Sequence, residues 1–250
     1  MDTVFDRANL QATERLLLEH EVARRYFSGE LYNGSNQILQ PLVLADAQGG
    51  KLELDRTVIA RLFMVPDGSL VRILRVIEHE DAPAGIQVAA CSPLFAEDEK
   101  HSVIAFQEDL LTGRTALYIK RMMLADNAPA HLATVGFGLM AVSAYRLGFS
   151  SIYLFAAGHG PIARHERDLF IGYEVWPKLG FDAPVDPAEL NRDERPGLQA
   201  CRTVQQVRAF DADWWSRYGS GRTMQFDLSP GSRSWMVLLD YLYTTLREDV

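Results

Sequence analysis

The sequence predicts a mixed α/β fold, an α+β arrangement on one mixed sheet, and three observations carry that prediction. Apolar residues recur with a helical period near both ends of the chain. Between about residues 57 and 124 the pattern changes to short β-branched runs divided by turn signals. An apolar helical pattern at 129–148 is then followed at once by a buried-strand pattern at 151–157. With 250 residues, 48% of them hydrophobic and 23% charged, the chain is long enough for a sizeable core and has a globular composition. No internal repeat or low-complexity tract divides it, so residues 1–250 are expected to form one domain.

Taken in order, residues 3–27 read as an amphipathic helix with Leu10, Leu16, Leu17, Leu18, Val22 and Phe27 near one stripe and Ser28-Gly29 as its stop. Tyr32 to Asn36 is loop chemistry. Thr57–Val65 reads as a strand ending at the turn Pro66-Asp67-Gly68, and Leu70–Ile77 reads as a second. Ile86–Ala90 and Ser102–Gln107 are shorter strands, and Thr112-Gly113 sets a hairpin before Arg114–Leu124, which completes an antiparallel meander. From Pro129 to Gly148 apolar positions are so dense that the helix must be packed on more than one side, with Gly148 as its C′ residue. Ser151–Ala157 is an apolar strand, and a helix leading straight into it is half of a βαβ crossover. Residues 158–172 begin as a polar loop and turn helical. Residues 182–200 hold five acidic residues and three prolines and read as a loop or insertion. Thr223–Leu228 is a late strand, and a final amphipathic helix starts near Ser232 or Ser234, with Trp235, Leu238, Leu239, Leu242 and Leu246 on one stripe.

Composition excludes several function classes. A net charge of −8 argues against nonspecific nucleic-acid binding, which rests on basic residues neutralising phosphates. No run approaches the ~18 apolar residues of a membrane span. The first seven residues show no basic region leading into an apolar run, so no secretory leader is expected. Cys91 and Cys201 have no CxxC spacing, which fits a reducing compartment and a cytoplasmic location. His159 and His165, with Glu166 and Asp168, lack a recognised ligand spacing such as HExxH. No metal is expected, and the histidines read either as solvated loop or as substrate contacts. No GxSxG nucleophile elbow occurs. Trp214-Trp215 with Tyr218 reads as packing or as a stacking platform, and Asp211 and Asp213 argue against nucleic acid there. Glu108 and Asp109 end a strand on opposite faces, so at most one can face a cleft, while Asp227 is expected to be exposed.

From Arg114 to Phe181 the order is strand, loop, apolar helix, Leu147-Gly148-Phe149, the strand Ile152-Tyr153-Leu154, polar loop, then Tyr173-Glu174-Val175-Trp176-Pro177-Lys178-Leu179-Gly180-Phe181. This order resembles the core of the GNAT superfamily of N-acetyltransferases, closely over about 70 residues and loosely over about 120. The resemblance implies a GNAT-like core over about 57–181, a C-terminal extension over about 182–250, and acetyl-CoA or another acyl-CoA as co-substrate. It implies that Met122, Met123 and Leu124 line the pantetheine arm, that the backbone of Met122-Met123 supplies an oxyanion donor, and that Ala130, His131, Leu132, Ala133 and Thr134 cradle the pyrophosphate. Helix N-terminal amides lack intrahelical partners and suit such an anion.

The departures from the family pattern are specific. The family loop, (Arg/Gln)-x-x-Gly-x-(Gly/Ala), falls on Ala128–Ala133, where only Ala133 fits. Gly136 and Gly138 lie deeper and read as tight helix packing or as phosphate binding. Trp176 stands where many members carry a general-acid tyrosine, and an indole cannot return a proton to a thiolate. Tyr173, one turn earlier, takes that role only if the helix register shifts, and Pro177 removes a helical N–H. Tyr173 and His159 are the candidates for proton transfer. The expected activity is acyl transfer from acyl-CoA to the amine of a small molecule or protein, with no metal, nucleic acid or membrane involved and the oligomeric state open. The alternatives are a GNAT-like binding module without catalysis and an unrelated α+β enzyme. Charge is partitioned in favour of an anionic ligand: residues 113–181 hold seven Lys/Arg and four Asp/Glu, a net +3, and the remainder carries −11.

Overall fold

Turn chemistry and one helical crossover fix the order of the sheet. The computed structural model describes residues 5, 9–45, 50–79, 81–96, 101–109, 111–161, 170–191 and 193–247. The chain opens with α1 (Gln11–Glu19) and α2 (Glu21–Tyr26), the short hairpin β1 (Tyr32–Asn33) and β2 (Asn36–Gln37), and the separate pair β3 (Leu42–Ala45) and β4 (Lys51–Leu54). After α3 (Arg56–Leu62) come β5 (Leu70–Val76), β6 (Gly85–Cys91), β7 (His101–Asp109) and β8 (Arg114–Arg121), each antiparallel to the next. The helix α4 (Leu132–Arg146) then leads to β9 (Ser151–His159), which lies parallel to β8. Five short helices follow: α5 (Gly172–Lys178), α6 (Pro187–Leu190), α7 (Pro196–Gln199), α8 (Val204–Phe210) and α9 (Ala212–Tyr218). Last come β10 (Ser220–Asp227), antiparallel to β9, and α10 (Arg233–Arg247). The main sheet runs β10-β9-β8-β7-β6-β5-β1-β2. The class is therefore mixed α/β on one large mixed sheet, as the sequence predicts.

Two expectations are corrected. Thr57–Val65 is a helix over most of its length, not a strand. Asp55 caps α3 by accepting from the Val58 amide at 2.8 Å, and Ile59, Ala60 and Leu62 turn one face into the core. Tertiary burial here outweighs β-branched propensity. The N-terminal helix is also broken in two, because His20 takes an extended backbone (ψ 140°) and its ring accepts from the Val22 amide, starting α2 afresh. The insertion at 182–200 contains α6, closed by a capping box between Asp186 and Glu189. Trp214 and Trp215 are buried, which favours the packing reading for that pair.

Ile104 and Ala116 are buried on one face of the sheet, while Val88, Val103, Leu117, Ile119, Ile152, Leu154, Met224 and Phe226 share the other face and lie in the core. Phe137 of α4 meets Phe226 on that face, with ring centroids 5.4 Å apart. Helix α4 is covered on its other sides too. A Cβ on Gly136 would stand 3.0 Å from Phe27 and 3.3 Å from Met64; one on Gly138 would stand 2.9 Å from Leu17 and 3.3 Å from Leu242. The GxG is thus a close-packing device inside the helix. Gly138→Ala is expected to force Leu17 aside and to lower stability by about 1–3 kcal/mol. Urea denaturation reads this as a lower midpoint at unchanged slope.

Candidate functional site

The two parallel strands do not stay paired. Their register runs from Ala116↔Ser151 to Ile119↔Leu154 and stops there, although β8 continues to Arg121 and β9 to His159. Beyond that level each strand follows its other neighbour: Arg121 pairs with Ser102 of β7, and Ala156 and His159 pair with Arg222 and Ser220 of β10. Both outer pairings slip by one residue at this level. Val103↔Ile119 is followed by Ser102↔Arg121, leaving Lys120 as the extra residue of β8, and Ala156↔Arg222 is followed by His159↔Ser220. A bulge bends its strand and increases local twist, so bulges on both flanks turn β8 and β9 apart.

Among the described residues, the segment beyond β8 has a partner on one edge only, the edge away from this gap. Met123 O accepts from Ala96 N and Ala125 N donates to Leu94 O, both at 3.0 Å, around the bridge Phe95↔Leu124. Strand alternation therefore directs the Met122 and Leu124 amides to the opposite edge, toward the gap. Met122, Met123 and Leu124 are all half-buried.

The crossover brings the N-terminus of α4 to the carboxyl end of both strands, the same end as the gap. His131 precedes the helix in the left-handed region, φ 62°, without a side-chain cap. Leu132 N donates to Pro129 O at 3.2 Å and Val135 N to His131 O at 2.8 Å, while no acceptor among the described residues takes the Ala133 or Thr134 amide. Ala130 is exposed; the side chains of Leu132 and Thr134 are buried; the His131 ring lies 6.2 Å from that of His20. Aligned peptide dipoles and unpartnered N–H groups make this a place where an anion is stabilised.

Tyr173 and His159 fall on opposite sides of β9. His159 is exposed at the end of the strand, beside the gap. Tyr173 is buried on α5, and its Cδ1 would stand 3.1 Å from a Cβ on Gly158, the neighbouring residue on the helix-covered face. Its hydroxyl donates to Ser216 O at 2.8 Å, and its own carbonyl accepts from the Trp215 indole at 2.9 Å. Trp176 packs edge-on against Phe137 and Phe181 and belongs to an aromatic cluster. His165, Glu166 and Asp168 lie outside the described residues. Glu108 is at the far end of β7 from the gap, where it accepts from Ser150 Oγ at 2.6 Å and from the Tyr153 hydroxyl. Burial and that carboxylate push the Tyr153 hydroxyl up to about 12. Asp109 instead organises the β7–β8 turn through the Leu111 amide and the Thr112 hydroxyl.

Sequence reasoning missed His101, at the start of β7, because a single histidine flanking a β-branched run carries no positional signal. The residue is fully buried, its Nε2 lies 2.6 Å from Phe63 O, and its ring stacks on Phe95 with centroids 4.8 Å apart. Nδ1 makes no hydrogen bond among the described residues. Burial holds this imidazole below the ordinary histidine range, against the opposing pull of the Phe63 and Arg121 carbonyls.

Two shallow cavities lie elsewhere, one of about 450 Å³ beside Leu39, Glu53 and Arg56 and one of about 280 Å³ beside Asp182, Gln225 and Arg233. Among the described residues no group of three His, Cys, Asp or Glu is arranged to hold a metal, and no helix is long and apolar enough to cross a membrane.

The depressed proton affinity of His101 has a definite sign for stability. The unfolded chain takes up this proton first as pH falls, so the contribution is complete above pH ~6.5 and declines below it. One such proton gives a slope of at most about 1.4 kcal/mol per pH unit. Denaturant midpoints measured from pH 7.5 to 5 are expected to drop less steeply for His101→Gln than for the parent chain.

No family model, no curated protein and no solved structure matches this chain.

Proposed function

We propose that the chain is an acyl-CoA-dependent N-acyltransferase of GNAT-like architecture, with its site in the gap between β8 and β9. The observation that carries this reading is the parting of the parallel pair beyond Ile119 and Leu154, at the end where α4 presents its N-terminus. A pantetheine arm is an extended chain with two amides and can lie along a strand edge as a further strand would. The Met122 and Leu124 amides are the partners for it, and the Ala133 and Thr134 amides are those for the pyrophosphate. The net +3 of residues 113–181 favours the same anion.

In the reaction, the amine nitrogen forms a bond to the thioester carbonyl carbon, the C–S bond breaks, and the thiolate leaves and takes up a proton while the amine gives one up. The negative charge on the carbonyl oxygen is stabilised by a backbone amide of the bulged segment. His159, exposed beside the gap, is the group placed to exchange protons with solvent; Tyr173 takes part only through a hydroxyl already donated to Ser216 O. The acceptor is an amine on a small molecule or protein, and dependence on acyl-CoA goes with a cytoplasmic site of action.

A second reading, an acyl-CoA-binding module without catalysis, is favoured by the engaged Tyr173 hydroxyl and by Trp176 in the aromatic cluster. Acetyl-CoA at 100 times its dissociation constant is expected to stabilise the protein by about 2.7 kcal/mol. Thermal unfolding with acetyl-CoA and with CoA measures this, and the absence of any shift at millimolar ligand overturns both readings. Where binding occurs, amide product formed with a panel of amines supports the enzyme, and its absence supports the module. Tyr173→Phe leaves the Ser216 carbonyl without its donor and costs about 1 kcal/mol of stability. If the hydroxyl returns the proton to the thiolate, transfer falls on the order of 10²-fold at unchanged CoA affinity; unaltered turnover removes Tyr173 from the reaction.

A further inference from the structure

We propose that the cavity where the end of β10 meets the first turns of α8 and α10 binds a small zwitterionic amine, a primary ammonium compound that also carries a carboxylate. The cavity measures about 280 Å³, the small end of the range for ligand pockets, and its lining includes Asp182, Gln205, Gln225, Asp227 and Arg233. It lies at the opposite end of β9 from the gap. Asp227 pairs with Ser151 at the start of β9 and Ser220 with His159 at its end, so about 25 Å of strand separates the two places. An amine held here is out of reach of a thioester in the gap, and the site stands apart from the acyltransferase reading.

Strand pairing brings the acceptors together. Asp182 and Gln225 exchange both backbone hydrogen bonds at 2.9 Å, so their side chains leave one face, and Asp227, two residues on, shares it. Each carboxylate has one oxygen engaged. Asp182 Oδ1 accepts from the Ala183 and Gln205 amides at 2.9 Å, and Asp227 Oδ1 from the Ser229 amide at 2.8 Å. Neither Oδ2 has a hydrogen-bond partner, and neither carboxylate an ion pair, among the described residues. Gln205 adds an acceptor that is almost fully buried. Its side chain belongs to a residue only 4% exposed, and its amide nitrogen donates to Pro177 O and Phe181 O, both at 2.7 Å. Two carbonyls fix which end of that amide is nitrogen, so the oxygen turns away from them. It takes no hydrogen bond among the described residues, and its donor has to come through the cavity that Gln205 lines.

An ammonium group matches this set, because its three hydrogens can go to two carboxylate oxygens and one amide oxygen, and the bonds to the carboxylates are charge-assisted. Arg233, the first residue of α10, is the one cation among the lining residues. Its Nη2 donates to Gln205 O at 3.2 Å, and it forms no ion pair with Asp182 or Asp227. The rest of the guanidinium fork is suited to a carboxylate. A plain amine entering the cavity meets the like charge of Arg233, and a plain anion meets two carboxylates. A molecule with both charges meets the opposite sign at each end.

The experiment titrates the intact chain with glycine, β-alanine and γ-aminobutyrate and follows the Ala183, Gln205, Asp227 and Arg233 amides by NMR. One member of this series is expected to move these amides saturably, and at lower concentration than the alkylamine or the alkanoate of the same length. Asp182→Asn and Asp227→Asn keep the Oδ1 acceptor and remove the charge, and each is expected to weaken binding about tenfold with the urea midpoint nearly unchanged. Arg233→Gln, which can still donate to Gln205 O, is expected to weaken the amino acid and to strengthen the alkylamine. A general loss of structure cannot produce those opposite signs. No movement with any member, an alkanoate that binds as well as the amino acid, or affinity unaltered in both Asn variants overturns the proposal. Tighter saturation of the same amides by calcium or magnesium chloride assigns the cavity to a metal ion and overturns it as well. Failure of acetyl-CoA to bind changes none of these outcomes.

Discussion

The burial of α4 is the constraint on which the rest of the structure depends. Its fifteen residues, Leu132–Arg146, include eleven that are buried, so water can meet it along no continuous face. A helix of this kind is stable only when other elements cover every side. The sheet supplies one side through Phe226, and α1, α3 and α10 supply the others, with Leu17, Met64 and Leu242 reaching Gly136 or Gly138. The two glycines let those side chains approach the helix axis more closely than any other residue would. The N-terminal helices, separated by over a hundred residues from α4, are thus part of the same core. Asp67 anchors them from the other end, its carboxylate accepting from the Ser28, Gly29 and Glu30 amides at 2.8–2.9 Å.

The same helix determines where a gap can form. As the crossover between two parallel strands, it ties the start of β9 to the level of Ala116, but it leaves the carboxyl ends of the strands to their outer neighbours. Those neighbours are antiparallel partners with long registers, β7 for β8 and β10 for β9. Where both outer ladders take a bulge, the pair between them comes apart, and backbone groups at the mouth of a helix dipole have no partner among the described residues. Unpaired amides here are a product of topology rather than of any one side chain.

Legibility in the sequence followed the same division. The meander was readable because Thr112-Gly113 and the β-branched runs around it are local signals, and α4 was readable because its apolar residues outnumber what one face can hold. Residues 57–65 were misread because Val58, Ile59 and Val65 imitate a strand, although Asp55 at the N-cap position was the contrary local signal. The break at His20 was invisible, since nothing in the order Glu19-His20-Glu21 announces an imidazole that caps its own following helix. The strand parting could not be read at all: a one-residue slip at Lys120 exists only relative to β7, and pairing register is not a local property of the chain. His101 shares this limit, because its ring partner is the Phe63 carbonyl, 38 residues away.

The start of α4 takes a backbone conformation that its residue types do not favour. Glycine is the usual residue where a chain must take positive φ ahead of a helix, and residues 128–134 contain none. His131 nevertheless adopts φ 62°, ψ 5°, a conformation that costs a non-glycine residue roughly 1–2 kcal/mol. Such strain persists only when the surroundings hold it, and here Leu132 and Thr134 are buried on one side while Pro129 and His131 accept from Leu132 and Val135 on the other. The helix start is therefore set by the core beneath it instead of by loop flexibility. The amides of Ala133 and Thr134 are pre-oriented by the same packing that makes α4 the centre of the fold, and an anion bound there would order little further chain.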